Sequence, residues 1–126
     1  MVSVRVLIVD DSVGMRKILA KNLRDAGVQL EEIFEAGNGR DALKILETII
    51  PDLILSDVNM PIMDGMEFVK ALHDLPAVQG VPVIMVTSEG SESHVKEAIL
   101  MGARGYVRKP FTPEQFRTSI LPCLPE

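Results

Sequence analysis

Disulfide bonds, aromatic side chains and membrane-spanning segments are scarce or missing in this sequence of 126 residues. It contains one cysteine, Cys123, so no disulfide can form within the chain, which is typical of a reducing compartment. No apolar run is long enough to cross a bilayer, and the short one near the N-terminus is interrupted by Arg5. We therefore expect no signal peptide, no transmembrane helix and a cytoplasmic location.

Positive charge is also in short supply, since 13 lysines and arginines face 18 aspartates and glutamates, giving a net charge of -5. Nucleic-acid-binding domains usually present a basic face, and an anionic membrane would repel this chain, so neither partner is expected. The length suffices for one core, and no repeat, low-complexity tract or linker divides the chain. We expect one domain over residues 1–126.

Strand-like and helix-like segments alternate five times along the chain. The expected strands lie at residues 4–9, 32–35, 53–56, 81–86 and 105–108, and the expected helices lie at 12–26, from 39 to before Pro51, from 65, at 93–101, and from 113 to before Pro122. Asp64 with Glu67, and Thr112 with Gln115, have the spacing of helix capping boxes. This alternation predicts a parallel sheet with helices on both faces.

Apolar residues at helical spacing predict the buried faces of the first two helices. On the first helix these are Val13, Ile18, Leu19 and Leu23, and on the second Ala42, Leu43, Leu46 and Ile50. Gly27 is the expected end of the first helix.

Polar residues follow four of the apolar strands at the point where each strand ends. They are Asp10 and Asp11, then Asp57, Thr87 and Lys109. In a parallel α/β sheet these ends share one edge, and the acids of strands one and three can meet only if those strands are neighbours. We therefore predict a doubly wound, flavodoxin-like sheet of five parallel strands in the order 2-1-3-4-5, with five helices.

Three carboxylates at one edge repel one another by roughly 4 kcal/mol per pair at about 4 Å and an effective dielectric near 20. A hard divalent cation such as Mg²⁺ would offset that repulsion. Asp57 is then a candidate nucleophile toward phosphorus, with Lys109 and Thr87 as contacts to phosphoryl oxygens. Each residue also has an ordinary structural interpretation, since Asp57 could simply begin a turn and Asp10 or Asp11 could favour a helix dipole.

Four stretches of the sequence resemble response-regulator receiver domains, especially the stand-alone chemotaxis type. They are VDDSVGMRKIL at residues 9–19, DVNMPIMDG at 57–65, VTS at 86–88 and GYVRKPF at 105–111. The resemblance implies that a histidine kinase phosphorylates Asp57. It implies Mg²⁺ held by Asp10, Asp11, Asp57 and the backbone carbonyl of Asn59, with Lys109 on the phosphoryl oxygens.

The resemblance also implies a switch that catalyses its own phosphorylation and dephosphorylation but is not otherwise an enzyme. Thr87 and Tyr106 would form the switch pair, and Asn59 and Glu89 would tune the lifetime of the phosphoryl group. The surface of helix four, strand five and helix five would bind a partner such as a flagellar motor switch protein, with the protein itself a monomer. The residues expected on that surface are His94, Val95, Ile99, Tyr106, Arg108 and Phe111.

Two other functions use the same acids. A haloacid-dehalogenase-like phosphatase also forms an aspartyl phosphate, but it needs Asp-x-Asp, and here position 59 is Asn. It would also need a cap segment for its substrate, and the sequence offers none. The second alternative is an interaction module that binds its partner without phosphorylation.

Overall fold

Five parallel strands form the centre of the fold. The computed structural model describes residues 3–88 and 92–125. The strands are β1 (Val4–Val9), β2 (Leu30–Ala36), β3 (Leu53–Asp57), β4 (Val83–Thr87) and β5 (Gly105–Arg108). They pair in the order β2-β1-β3-β4-β5, which confirms the predicted topology.

Five helices cover the sheet: α1 (Val13–Asp25), α2 (Gly39–Leu46), α3 (Gly65–His73), α4 (Glu92–Leu100) and α5 (Pro113–Ile120). Both expected capping boxes are present, with Asp64 and Thr112 each accepting a backbone N–H while Glu67 and Gln115 reach back to the cap. Pro122 lies in a short 3-10 turn after α5, so the predicted early end of that helix is confirmed. None of the helices in the described ranges is long and apolar enough to cross a membrane.

The sheet separates two apolar cores because successive strand residues point to opposite faces. Leu7 and Val9 of β1 face the core under α2, α3 and α4, where Phe68 is fully buried. Val6 and Ile8 face the core under α1 and α5, where Phe116 is fully buried. Both faces of the central strands are therefore dry, and polar side chains can reach water only at the strand ends.

The prediction that Val13 and Ile18 of α1 are buried is wrong, since they are 55% and 47% exposed. The buried stripe runs through Leu19 and Leu23, with Met15 packed beside them, at a spacing of four residues. Residue 18 is turned by about 100° from residue 19, which places it on the flank of this stripe.

The second helix is shorter than predicted, since α2 ends at Leu46 and Ile50 is 45% exposed. The β-branched run Thr48-Ile49-Ile50 and the following Pro51 both disfavour helix continuation. Several other boundaries shift by one or two residues: β2 begins at Leu30, β3 includes Asp57, and β4 begins after Pro82.

Candidate functional site

The strand register brings the predicted polar residues to one edge of the sheet. Val9 pairs with Ser56, so Asp10 and Asp57 each follow by one residue and lie level with each other. Asp57 pairs with Val86, which places Thr87 one residue beyond. Thr87 pairs with Arg108, which places Lys109 one residue further still. The site is therefore a consequence of parallel pairing between strands that end in polar residues.

Three carboxylates form a cluster at this edge, as predicted. Asp10, Asp11 and Asp57 each offer one oxygen, and these oxygens lie within 4.8 Å of one another. Asp10 is 1% exposed and Asp57 8%, whereas Asp11 is exposed. Carboxylate oxygens in this number and proximity suit a hard divalent cation.

Lys109 lies across from the cluster. Its Nζ lies 3.2 Å from Oδ2 of Asp10 and 3.5 Å from Oδ2 of Asp57. The peptide bond between Lys109 and Pro110 is cis, the isomer that the sequence left open. The ammonium group is the one described cation that forms an ion pair with both buried acids, so it offsets part of their repulsion.

Asp57 ends β3 and is held from two sides. Its Oδ1 accepts a hydrogen bond of 2.7 Å from the N–H of Val58, and its carbonyl oxygen accepts one of 3.0 Å from the Ser56 hydroxyl. Burial raises the pKa of the Asp57 carboxyl above its ordinary value, and the charge of Asp10 adds to this, while Lys109 and backbone N–H groups oppose it. A carboxylate with a raised pKa is more basic and therefore a better nucleophile.

Thr87 and Tyr106, the expected switch pair, have very different surroundings. Thr87 is 2% exposed, and its hydroxyl donates to the Ser88 carbonyl at 3.2 Å. Tyr106 lies on β5 opposite Met85, and its side chain is 47% exposed. The structure therefore has the hydroxyl inside and the aromatic ring outside.

The remaining predicted residues divide into three groups. Asn59 is exposed beside the cluster, two residues after Asp57, whereas Glu89 lies outside the described residues. On the expected partner surface, Ile99 is exposed, while the side chains of His94 and Val95 also lie outside the described part. Phe111 differs from the prediction, because it packs on the core under α1 and α5 with its ring centroid 5.3 Å from that of Phe116.

Two glycines, Gly65 and Gly39, support the site although neither carries a functional group. A Cβ on Gly65 would lie 2.1 Å from the carbonyl oxygen of Asp57, so only glycine allows α3 to begin against the end of β3. A Cβ on Gly39 would lie 2.7 Å from Cγ of Met63, in the loop that follows Asp57. Gly39 and Met63 are 24 residues apart in sequence, whereas Gly65 ends the stretch at residues 57–65 that also contains Asp57, so only the contact of Gly65 with Asp57 had a local signal.

Comparisons with known proteins agree with this geometry. The family model described as response regulator receiver domain matches residues 6–121. The chain is 36% identical over 117 residues to a probable chemotaxis protein CheY of Rhizobium etli, covering 93% of this chain and 89% of that protein. It is 40% identical over 107 residues to the chemotaxis protein CheY of Halobacterium salinarum, covering 85% of each.

Solved structures agree as well. The chemotaxis response regulator CheY4 of Vibrio cholerae superposes with a TM-score of 0.84 at 38% identity, covering 98% of this chain and 100% of that one. The structure of a protein described as a putative response regulator from Chloroflexus aurantiacus gives a TM-score of 0.86 at 30% identity, covering 97% of this chain and 98% of that one.

The fold, the acid cluster and these matches define a class of signalling switches, and the chain belongs to the response regulator receiver family. Within that family it is a CheY-like response regulator of two-component signalling. The phosphatase alternative finds no support among these relatives.

Proposed function

We propose that Asp57 is the residue that receives a phosphoryl group, from a histidine kinase of the chemotaxis type, in a reaction that requires Mg²⁺. The observation that carries the proposal is the geometry at the strand ends, where three carboxylate oxygens lie within 4.8 Å and Lys109 lies 3.5 Å from Asp57. Asp57 lies at the end of the central strand β3, and burial raises the pKa of its carboxyl group. It therefore combines nucleophilic character with access to a cation.

The residues present fit a magnesium ion. Asp10, Asp11, Asp57 and the backbone carbonyl of Asn59 would hold it, since all four supply the hard oxygen ligands that Mg²⁺ prefers. When bound, the ion would supply Lewis-acid stabilisation of the negative charge on the phosphoryl oxygens. The mutual repulsion of the carboxylates, only partly offset by Lys109, is the physical reason for a cation here.

The chain's own residues then carry the transfer. A carboxylate oxygen of Asp57 forms a bond to phosphorus while the P–N bond of the phosphohistidine breaks, and the leaving electron pair stays on the imidazole, which takes up a proton. Lys109 binds a phosphoryl oxygen through its ammonium group. Dephosphorylation is a separate hydrolysis, in which a water oxygen forms a bond to phosphorus while the bond between phosphorus and the Asp57 oxygen breaks, so that the carboxylate is restored and inorganic phosphate leaves. Asn59 and Glu89 are the polar groups that influence this step. The chain would thus catalyse both its own phosphorylation and its own dephosphorylation.

The switch would follow from the new charge at the buried edge. The Thr87 hydroxyl, which now donates to the Ser88 carbonyl, would turn to the phosphoryl group, and Tyr106 would move inward into the space released. A shift from about 1% to 99% active needs roughly 5.5 kcal/mol of preference. One hydrogen bond supplies about 1–3 kcal/mol, so several contacts or the partner itself must contribute.

The output surface in this proposal is formed by α4, β5 and α5. Ile99 and Tyr106 are both exposed there, which leaves apolar area for a partner. A flagellar motor switch protein is the proposed target because the two relatives described above are named as chemotaxis proteins. A single receiver domain over residues 1–126, a monomeric state and a cytoplasmic location are parts of the same proposal.

Modification with acetyl phosphate and Mg²⁺, read by intact-protein mass spectrometry, tests the acceptor. Wild type should gain one phosphoryl group and Asp57→Asn none. Asp25→Asn is the matched control, since Asp25 pairs with Lys21 on the outer surface of α1. Unchanged labelling of Asp57→Asn would contradict the proposal, and steady turnover of a phosphomonoester would favour the phosphatase. Equal partner binding by wild type and Asp57→Asn would favour the phosphorylation-independent module.

A further inference from the structure

Arg16 is a mostly buried cation that none of the roles above uses. It lies near the start of α1, and its side chain is only 16% exposed. The next residue, Lys17, is exposed to solvent in the ordinary way. Arginine is rarely buried to this degree without specific partners, so its contacts indicate what it does.

The guanidinium group of Arg16 joins two elements at the acidic edge. Its Nη1 donates to the backbone carbonyl oxygen of Asp10 at 2.6 Å, and its Nε donates to Oε1 of Glu35 at 2.9 Å. Glu35 belongs to β2, whereas Asp10 directly follows β1. The planar fork of arginine can hold both partners at once, which a lysine ammonium on a flexible stem does not reproduce.

Each polar group of Asp10 has a hydrogen-bond or ion-pair partner. Its N–H donates to the Ala36 carbonyl at 3.0 Å, and its Oδ1 accepts from the N–H of Ser12 at 2.9 Å. Its Oδ2 lies 3.2 Å from Nζ of Lys109. The bond from Arg16 to the carbonyl completes the set, so the orientation of Asp10 is fully determined.

Asp11 is held much less. Its carboxylate is exposed, and no hydrogen bond or ion pair among the described residues fixes it. The carbonyl of Asp10 and the N–H of Asp11 belong to one planar peptide unit, so a contact that fixes that carbonyl also fixes the start of Asp11. Arg16 therefore acts on the direction of both acids through the peptide that joins them.

Glu35 completes the arrangement. Its carboxylate cancels the charge of the guanidinium at 2.9 Å, so Arg16 adds little net positive charge next to the cluster and does not compete with a bound cation. The ion pair also attaches the guanidinium of Arg16, on α1, to a residue of β2, the strand that lies beside β1 in the sheet.

We propose that Arg16, braced by Glu35, is a positioning residue that orients Asp10 and Asp11 for cation binding by holding the Asp10 carbonyl. The inference rests on the proposed function only in taking Mg²⁺ as the cation of this cluster. It assigns to Arg16 an effect on ion affinity that is separate from any effect on folding.

The test compares Mg²⁺ titrations of wild type and Arg16→Lys, followed by amide NMR shifts around the cluster. Lysine keeps the charge but not the fork, so the variant isolates geometry from electrostatics. Outer-shell partners of metal ligands are commonly worth tenfold or more in affinity, and we expect Arg16→Lys to weaken Mg²⁺ binding by about tenfold. Glu35→Ala should weaken it in the same direction, and the double variant should be little worse than Arg16→Lys alone, because the two act as one unit.

Arg5→Lys is the matched control. Arg5 also donates from a guanidinium to a backbone carbonyl, that of Ile50 at 2.8 Å, but at the other end of β1. Urea unfolding of both variants shows whether they lose similar stability, and only Arg16→Lys should lose Mg²⁺ affinity. Equal weakening in both, or unchanged affinity in Arg16→Lys while wild type binds Mg²⁺, would overturn the positioning role alone. Failure of wild type to bind Mg²⁺ would overturn the proposed metal site and this inference together.

Discussion

The ammonium group of Lys109 lies 3.2 Å from a carboxylate oxygen of Asp10, although 99 residues separate the two in sequence. The same group lies 3.5 Å from Asp57, so one cation serves two buried acids that come from different strands. These two ion pairs offset the repulsion between the carboxylates, so the stability of the folded protein depends on which cations lie near them.

Replacement of Lys109 by methionine should destabilise the metal-free protein and should do so less when Mg²⁺ is present. Without the ammonium group, Asp10 and Asp57 are left as buried like charges, at a cost of about 1–3 kcal/mol. A bound divalent ion offsets that repulsion in place of the lysine. Urea unfolding with EDTA and with Mg²⁺ measures both values. Lys21→Met, which removes an exposed pair with Asp25, should lose little in either buffer. A loss for Lys109→Met that is the same with and without Mg²⁺ would contradict the expectation.

Asp57→Asn should stabilise the metal-free protein at neutral pH relative to wild type. Burial raises the pKa of Asp57 in the folded state above the value of 3.8 expected when the chain is unfolded. Between those two pKa values the folded state binds more protons, so wild-type stability falls as pH rises through that window. The advantage of the Asn variant should therefore open above about pH 4 and become constant once pH exceeds the raised pKa.

Urea unfolding in EDTA at a series of pH values measures this difference. Asp25→Asn, at an exposed position, is the control and should show no such opening. An advantage of Asp57→Asn that grows as pH is lowered would have the wrong sign and would contradict a raised pKa.

Gly65→Ala should disrupt both folding and phosphorylation. The new methyl group would lie 2.1 Å from the Asp57 carbonyl oxygen, which is backbone and cannot move without displacing Asp57, the proposed acceptor. Overpacking of this kind costs about 1–3 kcal/mol, and the labelling rate by acetyl phosphate should fall with it. Gly14→Ala is the matched control, because the nearest atom to its new methyl group is Oγ of Ser12 at 3.8 Å. The control should keep its stability and its labelling. Normal labelling by a stable Gly65→Ala protein would show that α3 does not constrain Asp57.

The sheet was predictable from sequence because most strands are apolar runs with a polar end. β1 and β5 match their predicted bounds, and Asp57 and Thr87 stand at the ends of wholly buried strands. The bounds of β2 were harder to predict, because it is an edge strand. Its exposed glutamates at positions 31, 32 and 35 interrupt the apolar pattern that would show where the strand begins and ends. An apolar pattern predicts that a helix has a buried face, but it does not specify which flank faces solvent, as Val13 and Ile18 show.

The convergence of the polar residues at one sheet edge was predictable from sequence, but the residues that support them were not. Asp10, Asp57 and Lys109 are distinctive because they end strands, so parallel pairing alone predicts their convergence. Arg16 and Gly65 look ordinary in sequence, because a cation on a helix and a glycine after a cap are common. Their roles arise from contacts with Glu35 and with the Asp57 carbonyl, which only the tertiary arrangement creates.

Thr87→Val should separate phosphorylation from the conformational response. Valine keeps the volume of the buried residue but removes the hydroxyl, which now donates to the neighbouring Ser88 carbonyl. We expect labelling of Asp57 to continue, while the change at Tyr106 that accompanies it is largely lost. Tyr106 is the only tyrosine and the sequence contains no tryptophan, so the intrinsic fluorescence reports this one ring. Wild type should change its emission when beryllofluoride and Mg²⁺ are added, because the proposed switch would move the ring from its present 47% exposure to a buried position. Ser88→Ala, which keeps the Ser88 carbonyl, is the control and should respond like wild type. A full fluorescence response in Thr87→Val would show that the hydroxyl does not couple Asp57 to Tyr106.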